Sequence, residues 1–160
     1  MGREKSPVTT AIRALRAAGV TWTEHPYAYE EHGGTEVSAR ELGVDEHAVI
    51  KTLVMEDDRK KPLIVLMHGD RQVSTQKLAR LIGARSVEPC APETANRHSG
   101  YLVGGTSPFG TRRPMQVYME ESILALETVY INGGKRGFLV GISPREAKRV
   151  LSPVLVNVAV

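Results

Sequence analysis

The stretch VIKTLVMEDDRKKPLIVLMHG, residues 49–69, sets two short runs of aliphatic residues on either side of the polar segment Asp57–Lys61. Runs of this length and composition, parted by a polar turn, predict a β-hairpin rather than a helix. Within the first strand Lys51 shares a face with Val49, Leu53 and Met55, while Ile50, Thr52 and Val54 take the other. A lysine so placed has two possible settings. It lies at a solvated edge, which costs little because its stem can reach water, or it sits in a pocket. In a pocket its charge could hold a phosphate or an oxyanion, or lower the pKa of a nearby thiol.

Working outward, Ser6-Pro7 reads as the N-cap and first residue of a helix with Val8, Ile12 and Leu15 on one face, stopped by Gly19. A strand is expected around 21–29, followed by a polar loop. Thr35 is then the expected cap of a short helix ended by Gly43. After the hairpin, Ser74 opens a helix bearing Leu78, Leu81 and Ile82 and closed by Gly83; a short strand at 86–88 and a helical turn at 92–98 come next. PMQVYME (114–120) and ETVYIN (127–132) read as strands with a small helical segment at 122–126 between them. GGKRG (133–137) reads as a turn and FLVGI (138–142) as a strand. Ser143-Pro144 starts a last helix, and VLVNVAV (154–160) ends the chain as a strand. Some strands follow as hairpins and others are separated by helices. The expectation is therefore an α+β fold: one domain over residues 1–160, with a curled, barrel-like mixed sheet flanked by helices.

Composition limits the function classes. The 160 residues are 41% hydrophobic and 24% charged, ordinary values for a globular chain. No apolar run approaches the ~20 residues that span a bilayer. The single cysteine, Cys90, has no internal disulfide partner, which points to a reducing cytoplasm. The start MGREKS fits the loose acylation pattern of Gly2 with Ser6, which nothing else in the sequence supports. With 21 basic and 18 acidic residues the net charge is only +3. A nucleic-acid partner would therefore be gripped through a small local footprint or with another protein's help. Arg112-Arg113 and Lys135-Arg136 are the candidate cation pairs.

Two glycine-rich segments stand out. GYLVGGTSPFG, residues 100–110, places Gly104 and Gly105 before Thr106-Ser107-Pro108. Glycine permits close approach of backbone to a neighbour, and Pro108 biases Ser107 away from helical angles. Such a loop either aims amides at a carbonyl oxygen, as acyl-transfer chemistry needs, or is a bulged strand end. Asn132-Gly133-Gly134-Lys135-Arg136-Gly137 is either an anion-binding turn or a hairpin turn with solvated charges. It is not a P-loop, because the Gly-x4-Gly-Lys-Ser/Thr spacing is absent. His25, His32, His47, His68 and His98 show no metal-ligand spacing. Cys90, between prolines, is either a packing residue or a nucleophile awaiting a histidine.

VIKTLV at 49–54, GYLVGGTSPFG at 100–110 and VYINGGKRG at 129–137 together resemble the YbaK/EbsC family, relatives of the editing domain of bacterial prolyl-tRNA synthetases. The resemblance extends over nearly the whole chain. It implies a mixed barrel-like sheet with surrounding helices, no cofactor and no metal. It also implies a trans-editing activity that removes mischarged cysteine from Cys-tRNA(Pro). By resemblance, Lys51 is the essential lysine at the tRNA acceptor end. The span Gly104, Gly105, Thr106, Ser107, Pro108 matches a Gly-x-x-x-Pro loop shaping the aminoacyl pocket, with Gly104 at the reacting ester. Tyr27 matches a pocket tyrosine, and Asn132, Gly133, Gly134, Lys135 and Arg136 match a substrate-binding segment. Asn132 departs from the serine of well-known members. The implied partners are the acceptor end of an aminoacyl-tRNA and a prolyl-tRNA synthetase that delivers it. Ala-tRNA(Pro) or another small aminoacyl-tRNA as substrate, and a non-catalytic tRNA- or synthetase-binding module, stay open as alternatives.

Overall fold

The computed structural model describes residues 6–160, so Gly2 of the acylation pattern lies outside the described residues. The elements run α1 (Thr10–Ala18), β1 (Thr23–Pro26), α2 (Gly34–Leu42), a 3₁₀ turn (Glu46–Ala48), β2 (Val49–Asp57), β3 (Pro62–His68), α3 (Thr75–Ile82), β4 (Val87–Pro89) and α4 (Pro92–Ser99). They continue with β5 (Gln116–Glu120), a second 3₁₀ turn (Glu121–Ala125), β6 (Val129–Lys135), β7 (Phe138–Ile142), α5 (Pro144–Leu151) and β8 (Val154–Val156).

The hairpin read from residues 49–69 is the centre of the sheet. β2 and β3 pair antiparallel from Ile50 opposite His68 to Glu56 opposite Pro62. Around them the strand order is β1-β7-β6-β2-β3-β5-β8, with β4 joined to the far end of β2. β1–β7, β2–β3, β2–β4 and β6–β7 are antiparallel, while β2–β6, β3–β5 and β5–β8 are parallel. This is the mixed α+β architecture expected from the sequence. The sheet stays open, with β1 and β8 at the ends of its strand order.

Alternation along β2 places its residues in different layers. Ile50 and Val54 enter the main core with Ala11, Ile12 and Leu15 of α1 and with Ile131 and Val140. From the other face, Met55 packs with Leu63, Val65 and Met67 under Leu78 and Ala79 of α3. Val49 joins Ala39 of α2 and Leu139. Lys51, two residues from Val49 and four from Met55, therefore falls at the seam between the α2 and α3 patches.

Several boundaries differ from the sequence reading, each for a local reason. α1 starts a turn late because Thr9, not Ser6, is the N-cap: its hydroxyl accepts from the Ile12 amide at 3.1 Å and donates to the Gly133 carbonyl. Thr35 does not cap α2; its hydroxyl goes to Glu46 at 2.7 Å and is 3.2 Å from the Gly69 carbonyl. The strand expected at 21–29 shrinks to Thr23–Pro26. β6 runs through Gly133 and Gly134 as a bulge, so the turn itself is reduced to Arg136-Gly137. Ser74 and Gly83 cap α3 as expected. Among the described residues no helix is long and apolar enough to cross a membrane. Thr9→Ala should lower the unfolding free energy by about 1–2 kcal/mol, whereas Ser6→Ala should leave it unchanged, as read by urea denaturation.

Candidate active site

β2 and β6 are in register at only two positions, Val49 with Tyr130 and Ile50 with Ile131. Beyond Ile50 the strands part, and a cavity of about 570 Å³ opens in the gap. Tyr27, Lys51, Gly104, Thr106, Asn132 and Arg136 line it, so three separate sequence motifs meet at one hollow. Gly105, Ser107, Pro108, Gly133, Gly134 and Lys135 are outside its lining.

Those outside residues build the wall. A Cβ on Gly105 would stand 2.7 Å from the Arg136 nitrogen and 2.9 Å from the Lys135 carbonyl carbon, so only glycine lets the two loops touch backbone to backbone. Gly104 has φ +92° and presses on the Tyr29 hydroxyl, 2.7 Å from where its Cβ would be. The close approach that the glycines permit is thus between chain segments. Ser107 is fully buried and its hydroxyl accepts from the Phe109 amide at 3.2 Å. The Gly105 amide donates to the Leu102 carbonyl at 2.8 Å, which removes it as an oxyanion donor.

Asn132 clasps the two loops. Its Nδ2 donates to the Gly104 carbonyl at 3.2 Å, and its Oδ1 accepts from the amides of Gly134 at 2.7 Å and Lys135 at 3.1 Å. One amide hydrogen is left for the cavity. Arg136 adds a second tie, donating from Nε to the Val103 carbonyl at 3.0 Å, and its guanidinium lies 5.5 Å from the centre of the Tyr29 ring. Tyr29 also lines the cavity, and the sequence reading missed it.

Lys51 is half-buried, and its Nζ donates to the Arg71 carbonyl. Burial pulls its pKa below the usual lysine range, while the charges of Glu46 and Asp70 oppose that shift. Thr52, next to it, lines the same cavity. Its Oγ1 is buried with no hydrogen-bond partner among the described residues. A buried orphan hydroxyl costs stability unless something binds it. The sequence carried a signal here, because Thr52 interrupts the Ile50/Val54 face.

Cys90 also lines the cavity, but burial, reinforced by Glu56, pushes its thiol up to about 11. At neutral pH it is a protonated thiol, a poor nucleophile. His25 stands outside the lining, held 2.7 Å from the Thr23 hydroxyl. A second hollow on α5, bordered by Arg145, Lys148 and Arg149, contains none of the candidate residues.

Residues 30–150 match the family of aminoacyl-tRNA editing domains. EbsC of Enterococcus faecalis, named as a candidate Cys-tRNA(Pro)/Cys-tRNA(Cys) deacylase, is 28% identical over 137 residues, covering 85% of this chain and 84% of its own. The proline–tRNA ligase of Nitratidesulfovibrio vulgaris strain DP4 is 33% identical over 110 residues, 69% of this chain but only 17% of the ligase. A crystal structure described as that of a candidate trans-editing enzyme for prolyl-tRNA synthetase superposes with a TM-score of 0.82. It shares 23% identity and covers 96% of this chain and 98% of its own, a likeness of fold.

Gly105→Ala should separate the two loops, costing about 1–3 kcal/mol of stability by overpacking against backbone. Thermal unfolding should show that loss.

Proposed function

The chain belongs to the aminoacyl-tRNA editing domain family, and from that premise we propose that it removes cysteine from Cys-tRNA(Pro) in trans, in the cytoplasm. The observation that carries this reading is the meeting of Lys51, Gly104 and Asn132 at one hollow. Its walls leave room for a terminal ribose ester and a small side chain. The name of EbsC, similar to this chain over most of its length, supports cysteine as the amino acid.

The reaction needs no protein nucleophile. The substrate's own thiolate attacks its carbonyl carbon, forming a C–S bond; the C–O bond to the ribose breaks and the ribose oxygen takes up a proton. The products are a cyclic thiolactone and free tRNA. At a pKa of about 8.5 only a few per cent of a free thiol is ionised at pH 7, so a nearby ammonium helps. One pKa unit is worth about 1.4 kcal/mol. Holding thiol and carbonyl in attack geometry contributes more, on the order of 7 kcal/mol. The chain's task is therefore chiefly to position. Lys51 has one N–H on Arg71 and two left for the acceptor end. The carbonyl of Gly104, held by Asn132, fixes the loop that borders the ester.

Tyr27 and Thr106 line the same space. Gly105, Ser107, Pro108, Gly133 and Gly134 act beneath it as scaffold. Lys135 and Arg136, both exposed, would meet the phosphates of the incoming strand. With a net charge of only +3, selection among whole tRNAs falls to a prolyl-tRNA synthetase that hands over the acceptor end.

Charging one tRNA(Pro) with Cys, Ala, Ser and Pro in parallel decides among the readings. Cysteine ester loss with thiolactone release, and little action on alanine, is the expected result. Preferential alanine release would make it an alanine editor, and binding without ester loss would make it a non-catalytic module. Lys51→Ala should fold and lose turnover, whereas Cys90→Ser should keep it. The alkaline limb of the rate profile should lie below pH ~10.4, where a free lysine titrates, because burial lowers the Lys51 pKa.

A further inference from the structure

Behind Lys51 lies a cluster that the deacylation reading leaves without a task. His47, Asp70 and the fully buried His68 offer ligand atoms within 4.8 Å of one another. It is not arranged as a metal site, because both nitrogens of His68 are engaged. Nδ1 meets the His47 carbonyl at 2.7 Å and must therefore carry its hydrogen, and Nε2 meets the Ser122 hydroxyl at 2.7 Å. Burial holds His68 below the usual histidine range, and the neutral ring accepts from Ser122. His47 stacks on it with centroids 3.7 Å apart and planes 6° from parallel, and its Nδ1 meets Asp70 Oδ1 at 2.8 Å.

These contacts converge on the turn after β3. The Gly69 amide donates to the Val49 carbonyl at 2.6 Å, and the Gly69 carbonyl lies 3.2 Å from the Thr35 hydroxyl. The Arg71 amide donates to the His68 carbonyl at 3.1 Å. Gln72 exchanges two backbone bonds with Val160, at 3.1 and 2.9 Å. The Arg71 carbonyl of this pinned turn receives the Lys51 ammonium.

We propose that His47 and Asp70 are positioning residues for Lys51: their hydrogen bond, with the His47 ring stacked on His68, fixes the 69–72 turn so that the Arg71 carbonyl holds the ammonium at the cavity. The role of Lys51 rests on the proposed function; the cradle itself does not. The ionisable groups acting on Lys51 are Glu46, from the 3₁₀ turn before β2, and Asp70, both favouring the ammonium against its burial. Asp70 is itself drawn below the usual carboxylate range: burial opposes this, but the hydrogen bond and charge of His47, together with its own backbone amide and the charge of Arg71, outweigh it.

Lysine labelled at Cε and Nζ allows Lys51 to be titrated by NMR without substrate. Asp70→Asn, which keeps the shape and removes the charge, should move the Lys51 midpoint to lower pH. The alkaline limb of the deacylation profile should move with it. An unmoved midpoint would overturn the electrostatic part. His47→Phe keeps a flat ring on His68 but drops the bond to Asp70. It should lower kcat about tenfold with KM within twofold; unchanged kcat would overturn the positioning part. In the wild-type protein the Lys51 Cε resonance should carry a second, acidic inflection that coincides with titration of the Asp70 carboxyl. Its absence would overturn the cradle even if a variant fails to fold. If Lys51 titrates as described while every aminoacyl ester survives, the deacylase reading falls and the cradle stands.

Discussion

The contact on which the site depends is the one between two bare stretches of main chain, Gly105 against Lys135 and Arg136. A methyl group there would sit 2.7 Å from a backbone nitrogen, and backbone, unlike the tip of a side chain, cannot swing aside. The same juxtaposition brings Asn132 within reach of the Gly104 carbonyl and Arg136 within reach of the Val103 carbonyl. Remove the contact and the cavity loses one wall together with the hydrogen bonds that hold it. The glycines thus belong to construction more than to catalysis, even though they lie at the proposed reacting centre.

The opposite wall is made by a strand that changes partners. β2 runs beside β6 for two residues and then has only β3 beside it until β4 joins at Met55, while β6 turns into its bulge. Strands that part leave a wedge, and Lys51 and Thr52 are the first residues of β2 past the point of divergence. Their polar atoms need not find partners in the sheet. One has found the Arg71 carbonyl; the other has found none among the described residues. Alternation sends the two side chains to opposite faces of β2: Lys51 keeps N–H groups to offer a ligand at the hollow, while the Thr52 hydroxyl stays buried.

Much of the fold was legible in the sequence because local chemistry and tertiary packing agree there. The 49–69 hairpin, the Ser74–Gly83 helix and the FLVGI strand all follow from apolar runs bounded by turn or cap residues. The sequence misled where a side chain serves a distant partner instead of its own backbone. Thr35 looks like a helix cap, yet its hydroxyl reaches Glu46 and Gly69; Thr9 takes the cap from Ser6 because it also ties α1 to Gly133. The candidate site shows the same division. Lys51, Gly104 and Asn132 carry marks in the sequence, as an ion in an apolar strand, a doubled glycine and an amide before a bulge. Tyr29, His47 and Asp70 carry none, since an aromatic in a polar loop or an acid after a strand is ordinary until its neighbours are known.

The makeup of the walls constrains which discrimination the cavity can perform. A barrier of glycine backbone held by hydrogen bonds yields little, so it rejects side chains that are too large more firmly than those that are too small. Pockets distinguish one methylene or hydroxyl by only about 10- to 200-fold. Size alone therefore separates cysteine poorly from alanine or serine, which fit the same space. In the proposed reaction the missing selectivity comes from attack by the substrate's own thiol, a step that alanine cannot perform and that a serine hydroxyl, un-ionised at neutral pH, performs poorly. On this reading the protein needs no nucleophile of its own. The protonated Cys90 at the cavity edge is consistent with that economy of parts, as is a Lys51 ammonium held by a main-chain carbonyl rather than by a carboxylate in direct contact. Under the proposed mechanism a direct carboxylate would neutralise the charge offered to the thiolate, whereas a carbonyl fixes the ammonium and leaves its charge to act.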